Sequence, residues 1–222
     1  MIRKLSLDGY QSFKISLTRE TTSVKDIVES KNNPLDDYVD EIINTLGKLR
    51  NTLNGENVDI AVEKILEARR IVFFGVGLSA VPAHYGSLLL SLLGFPAFSY
   101  SDPHTQVIVA TGLTDEDLVI SISHSGNIRD IVKSTQVAKD VGATTICITA
   151  GIDSPITKVA DLVLYSPVTK FEHHEFLRGN LGELAVVEVL FRTLLSKVYE
   201  SKLEHFDEVS KVLKPKKYDE SK

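Results

Sequence analysis

Between Arg70 and Tyr165 the chain repeats one unit five times: a short, almost wholly apolar run, then a polar or glycine break. Helical periodicity fills the gaps. The runs are "IVFFG" (71–75), "PAFSY" (96–100), "LVISIS" (118–123), "TTICIT" (144–149) and "DLVLY" (161–165). A strand with one wet face alternates apolar and polar residues. These do not, so they read as strands covered on both faces, as in a parallel sheet. The helical segments between them run over 79–93, closed by Gly94, over 105–111, over 128–141, closed by Gly142, and over 156–160. Strand and helix in strict alternation predict a doubly wound α/β sheet.

A helical extension precedes this unit. Leu35, Tyr38, Val39, Ile42, Ile43, Leu46 and Leu49 recur at helical spacing and form one apolar stripe. Asn33 suits the N-cap, Pro34 the first helical position, and Asp36 and Asp37 the positive end of the helix dipole. Gly55 is expected to close that helix, and a second is expected over 58–68. After the last strand a helix is expected over 182–200. Its "LAVVEVLF" is apolar on most sides, which places it in the core or in a dimer interface. Leu203, Phe206, Val209 and Leu213 predict one more helix before a charged tail. The expected organisation is a lead-in over 1–32, the α/β body with flanking helices over 33–215, and the tail over 216–222.

Composition narrows the function classes. With 222 residues, 43% of them hydrophobic, the chain can bury one sizeable core. The single cysteine, Cys147, cannot form an internal disulfide and sits in an apolar run, which fits a reducing compartment. "MIRKLSLDGYQSF" has no long apolar stretch, and Gly94 and Pro96 break the longest apolar run. A cytoplasmic location is therefore expected. The net charge of −5 argues against a polybasic nucleic-acid binder.

Two loops carry the chemistry. In "FFGVGLSA", Gly75 and Gly77 follow a strand and Ser79 opens a helix. In "ISISHSGNI", Ser123, His124, Ser125, Gly126 and Asn127 stand in the same place after the third strand. Glycine allows a sharp turn and close approach of a ligand. A helix N-terminus offers unpaired N–H groups to an anion. In a parallel sheet both loops leave at the carboxyl edge, so two hydroxyl-bearing helix starts can grip one phosphate. Taken singly, each serine would be an ordinary cap. A rival reading exists, because Gly75-Val-Gly77-Leu-Ser-Ala80 fits the dinucleotide pattern, with Asp102 near the end of the second strand as the ribose acid. That rival leaves Ser123 and Ser125 without a role. No cofactor or metal is expected: the adjacent His173 and His174 are poor ligands without a third partner.

"GVGLSA" with "ISISHSGNIRDIV" resembles the sugar isomerase (SIS) phosphosugar-binding domain. "KDVGATTICITAGIDSPITKVADLVLYSP" and the late "LAVVEVLF" resemble the sensor domain of RpiR-type transcriptional regulators. The resemblance covers about residues 58–196. It implies a flavodoxin-like five-stranded sheet, a phosphorylated sugar or amino sugar as ligand, and a homodimer or homotetramer. By motif it implies phosphate contacts from Ser79, Ser123 and Ser125, and puts His124 where the family often reads the sugar. The family pattern has Thr where this chain has Ile128, which cannot donate a hydrogen bond; Asn127 is the possible substitute.

"IRKLSLDGYQSFKISLTRE" resembles the end of the RpiR-type helix-turn-helix domain, with Ile2 to Leu5 as the end of its recognition helix. A helix-turn-helix docks through its whole recognition helix. The 222 residues alone are thus expected not to bind operator DNA, while a version with the complete domain is. The competing function is a SIS-type aldose–ketose isomerase, for which Glu183, His173 and His174 are the acid–base candidates. His84 and His104 have no assignable partner at this level.

Overall fold

A computed structural model describes residues 34–168 and 179–214. Helix α1 (Pro34–Thr52) and α2 (Gly55–Glu67) lead into β1 (Arg70–Gly75). Then follow α3 (Ala80–Leu92), β2 (Ala97–Tyr100), α4 (Pro103–Thr111), β3 (Asp117–Ile122) and α5 (Arg129–Asp140). β4 (Thr144–Thr149), α6 (Pro155–Val159), β5 (Leu162–Tyr165), α7 (Leu181–Val198) and α8 (Leu203–Leu213) complete it. All four strand pairings are parallel, in the order β2-β1-β3-β4-β5. This is the flavodoxin-like doubly wound sheet.

The apolar runs of β1, β3 and β4 are buried on both faces, as their lack of alternation requires, whereas the edge strands β2 and β5 are only partly covered and Phe98 is exposed. On one face Ile71, Phe73, Leu118, Ile120, Ile122, Ile146 and Ile148 pack with residues of α2, α3 and α7. On the other, Val72, Phe74, Val119 and Cys147 pack with Ala110 of α4, Ile131 of α5 and Ile156 of α6. Burial pushes the Cys147 thiol up to about 12, so it is an inert core side chain. The long α7 joins the first core through Val186, Val187, Leu190 and Leu194. No helix among the described residues is long and apolar enough to cross a membrane.

Two boundaries differ from expectation. Gly55 does not close α1; it opens α2, three residues before the expected start. The reason is Asn54, whose side chain accepts from Glu56 N at 2.9 Å and caps the helix there. The expected stripe of α1 also packs only in part among the described residues, Leu49 lying against the core. The helix lies along α7 and buries Thr45 and Thr52, while Leu35, Val39, Ile42, Ile43 and Leu46 are exposed. The expected lead-in, residues 1–32, lies outside the described residues.

Candidate functional site at the strand switch point

The chain runs outward from β1 to β2 and then returns to place β3 on the other side of β1. The carboxyl ends of β1 and β3 therefore flank the switch point where open α/β sheets bind ligands. Gly75 and Ile122 are partners in register, so the loop after each begins at the same height.

In the first loop a 3₁₀ turn spans Gly77–Ser79, and Gly77 has φ +59°. Ser79 takes the N-cap position of α3 with helical backbone angles, and its hydroxyl makes no cap bond. It is half-buried.

The second loop is tied down at each step. Ser123 N donates to Ile148 O at 3.1 Å, and Ala150 N donates to His124 O at 2.9 Å. Ile156 N donates to Gly126 O at 3.1 Å. Gly126 has φ +68°, and a Cβ there would stand 2.1 Å from Ser154 Oγ, so glycine is required twice over. Ser125 is half-buried, and its Oγ accepts from Asn127 N at 3.3 Å. Asn127 and Ile128 are exposed, and Ile128 holds the N-cap position of α5 without a cap bond.

Behind this loop stands Glu183, in the first turn of α7 and fully buried. Its Oε1 accepts from His124 Nδ1 at 2.7 Å and from Ser166 Oγ at 2.8 Å. A role limited to favouring the helix N-terminus does not account for this burial. Ser123 Oγ, His124 Nε2 and Glu183 Oε2 are buried and lack hydrogen-bond partners among the described residues. Buried polar atoms are nearly always satisfied, and the other unpartnered ones among the described residues are Arg70 Nε and Asp117 Oδ1 at the opposite edge of the sheet.

Two further residues hold the frame, and neither had any signal in periodicity or motif. Gln106 is fully buried on α4. Its Nε2 donates to Gly75 O at 3.2 Å and to Tyr100 O at 2.7 Å, and its Oε1 accepts from Ser134 Oγ of α5 at 3.3 Å. One amide thus joins the ends of β1 and β2 to the helix of the second loop. Asn180 Nδ2 donates to Leu78 O at 2.5 Å and links the start of α7 to the first loop.

The dinucleotide reading loses its acid. Asp102 Oδ1 accepts from Thr105 N and Thr105 Oγ1, both at 2.8 Å, and caps α4. Those hydrogen bonds hold its carboxyl below the usual range. The strand order also differs from the dinucleotide-binding 3-2-1-4-5-6. His84 Nδ1 lies 3.1 Å from Ser99 Oγ on the surface. His173 and His174 lie outside the described residues.

The family model of the SIS domain matches residues 64–192. An uncharacterized HTH-type transcriptional regulator of Caldanaerobacter subterraneus is 30% identical over 97% of this chain and 79% of its own length. The sugar isomerase domain of an RpiR transcription factor from Sphaerobacter thermophilus superimposes with a TM-score of 0.73 at 26% identity, over 82% of this chain and 99% of that one. The NanR protein of Vibrio vulnificus, solved in complex with ManNAc-6P, shares the fold with a TM-score of 0.76 at 21% identity, over 98% of this chain and 80% of that one. The chain belongs to the SIS-domain family, on the side of its RpiR-type, HTH-type transcriptional regulators.

Proposed function

We propose that residues 33–215 are the phosphosugar-sensing domain of an RpiR-type transcriptional regulator that works in the cytoplasm as a homo-oligomer. Residues 1–32 would be the end of its helix-turn-helix domain and a linker. The observation that carries the reading is the pair of hydroxyl-bearing loops on adjacent strands, with unpartnered buried polar atoms beside them. Ser79 and Ser125, with the backbone of Gly77 and Asn127, would hold the phosphate at two helix starts. Ser123, His124 and Glu183 would read the sugar. With Glu183 ionised, His124 Nδ1 donates to it, so His124 Nε2 and Glu183 Oε2 are both acceptors. Two neighbouring acceptors suit a vicinal diol, or a hydroxyl beside an amide N–H. The phosphorylated amino sugar bound by the NanR relative supports this class of ligand. DNA recognition is proposed for the regulator as a whole and not for its α/β body.

Calorimetry with a matched pair tests the reading. A hexose 6-phosphate or amino-sugar 6-phosphate is expected to bind, and the same sugar without phosphate to show no measurable heat. Equal affinity for both would defeat the phosphate cradle.

A second reading is favoured by one observation, the buried Glu183 carboxylate held by His124. Such a pair can take and return a proton beside a carbonyl, as an aldose–ketose isomerase requires. Conversion of one phosphosugar to the other by the purified chain, abolished by Glu183→Gln, would replace the sensor with an enzyme.

A further inference from the structure

Hydrogen bonds around the second loop close into a ring. Thr149 Oγ1 donates to His124 O at 3.1 Å, and Ser166 N donates to Thr149 O at 2.9 Å. Ser166 Oγ donates to Glu183 Oε1 at 2.8 Å, and that oxygen lies 2.7 Å from His124 Nδ1. The circuit thus returns to the residue where it began. It passes from the loop after β3 to the end of β4, the exit of β5 and the first turn of α7. Thr149, Ser166 and Glu183 are fully buried.

The ring holds His124 at both ends. Thr149 grips its carbonyl, and Glu183 faces its imidazole. Ser166 acts through Glu183, and its own main chain is anchored on Thr149, so its hydroxyl meets the carboxylate from a fixed place. The backbone is close-packed at the same point. A Cβ on Gly182, the neighbour of Glu183, would stand 2.6 Å from the carbonyl oxygen of Pro167, the neighbour of Ser166. The start of α7 is pressed against the exit of β5, and the contact between Ser166 and Glu183 has little room to slide.

Stability alone does not select such a ring. Taking a carboxylate out of water is costly, and apolar side chains fill such a space at no greater cost. What a closed circuit supplies is orientation. A single hydrogen bond lets a side chain turn, whereas partners on separate elements lock both the main chain and the imidazole of His124.

We propose that Thr149 and Ser166 are positioning residues for His124. They set the direction in which its imidazole faces the ligand. Through Glu183, Ser166 governs the choice of sugar without touching the phosphate. The role in sugar choice rests on the phosphosugar reading of the site; the positioning of the imidazole does not. Ser166 is the cleaner probe, because Thr149 Oγ1 also accepts from Gly151 N at 3.0 Å and Gly151 packs on Ser125.

Imidazole nitrogen resonances of the isotope-labelled full chain test the positioning, with His124 assigned as the signal lost in His124→Gln. In the ligand-free protein, Ser166→Ala and Thr149→Val should each move the His124 nitrogen signals. Thr149→Ser, which returns the hydroxyl, should bring them back. Should Ser166→Ala fail to fold, the Thr149 pair decides. Titration with an amino-sugar 6-phosphate and with glycerol 3-phosphate tests the sugar choice. The outer partner of a metal-bound imidazole is worth roughly 10- to 100-fold, and Ser166→Ala is expected to weaken the sugar phosphate by about tenfold, the low end of that range. Glycerol 3-phosphate keeps the phosphate and lacks the sugar, so its affinity should change little. His124 signals that stay in place, or an equal loss of both ligands, would overturn the proposal. A parent that binds neither ligand would defeat the phosphosugar reading instead, and the nitrogen signals would then decide the positioning alone.

Discussion

Glu183 Oε1 and His124 Nδ1 lie 2.7 Å apart, although 59 residues separate them. The contact joins the first turn of α7 to the loop after β3. It turns Nδ1 of the imidazole toward the carboxyl group and leaves Nε2 without a partner among the described residues. Ser166 donates a second hydrogen bond to the same oxygen, and Oε2 has no partner among the described residues.

Glu183→Gln keeps the shape and removes the charge. Loss of hydrogen bonds to an ionised group is expected to cost roughly 1.5–3 kcal/mol of stability. Chemical denaturation measures that cost, and calorimetry should show a parallel loss of phosphosugar affinity. Unchanged stability and affinity would make the pair incidental.

Ser125→Ala should separate ligand binding from folding. The Ser125 hydroxyl has a modest internal role, accepting from Asn127 N at 3.3 Å. A hydrogen bond to a charged phosphate is worth roughly 1.5–3 kcal/mol. The phosphosugar should therefore bind about 10- to 150-fold more weakly. Thermal melting should move little. A variant that binds as tightly as the parent would reduce Ser125 to a turn residue.

Ile128→Thr should tighten binding of the same ligand. Ile128 is exposed at the N-cap position of α5 and makes no cap bond, so removing its side chain disturbs little packing. Threonine adds a donor and a good cap at once. A gain in stability without a gain in affinity would assign the position to capping alone.

Acid sensitivity should arise at the opposite edge of the sheet. Asp117 opens β3 with a fully buried carboxylate. Burial raises its pKa, but the hydrogen bond from Arg70, the Thr114 N–H and the charges of Arg70 and Arg69 outweigh it and hold the carboxyl below its usual value. A depressed folded pKa contributes stability above the unfolded value of about 3.9 and loses it as pH falls through the folded one. Denaturation measured from neutral pH downward should show this loss, and Asp117→Asn should lower stability at neutral pH and flatten the acid limb. An acid limb of equal slope in the variant would place the sensitivity elsewhere.

The local elements are legible in the order of the residues. Five apolar runs had to be strands, of which the three inner ones are buried on both faces, and the glycine and serine breaks after "IVFFG" and "LVISIS" had to be loops at one sheet edge. Those signals are short-range: period, cap and turn chemistry act over a few neighbouring residues. At one boundary two such signals compete, and Asn54, not Gly55, separates α1 from α2. Which distant groups meet depends on the packing of the whole chain. The β2-β1-β3 order set the two loops side by side, and the packing of α7 carried Glu183 to His124. The packing buried Gln106 between the ends of β1 and β2 and the side of α5, and it left Leu35, Val39, Ile42, Ile43 and Leu46 of α1 exposed. Contacts between residues far apart in the chain depend on crossover paths and on which helix face finds a core, and neither is written in the pattern of any one segment.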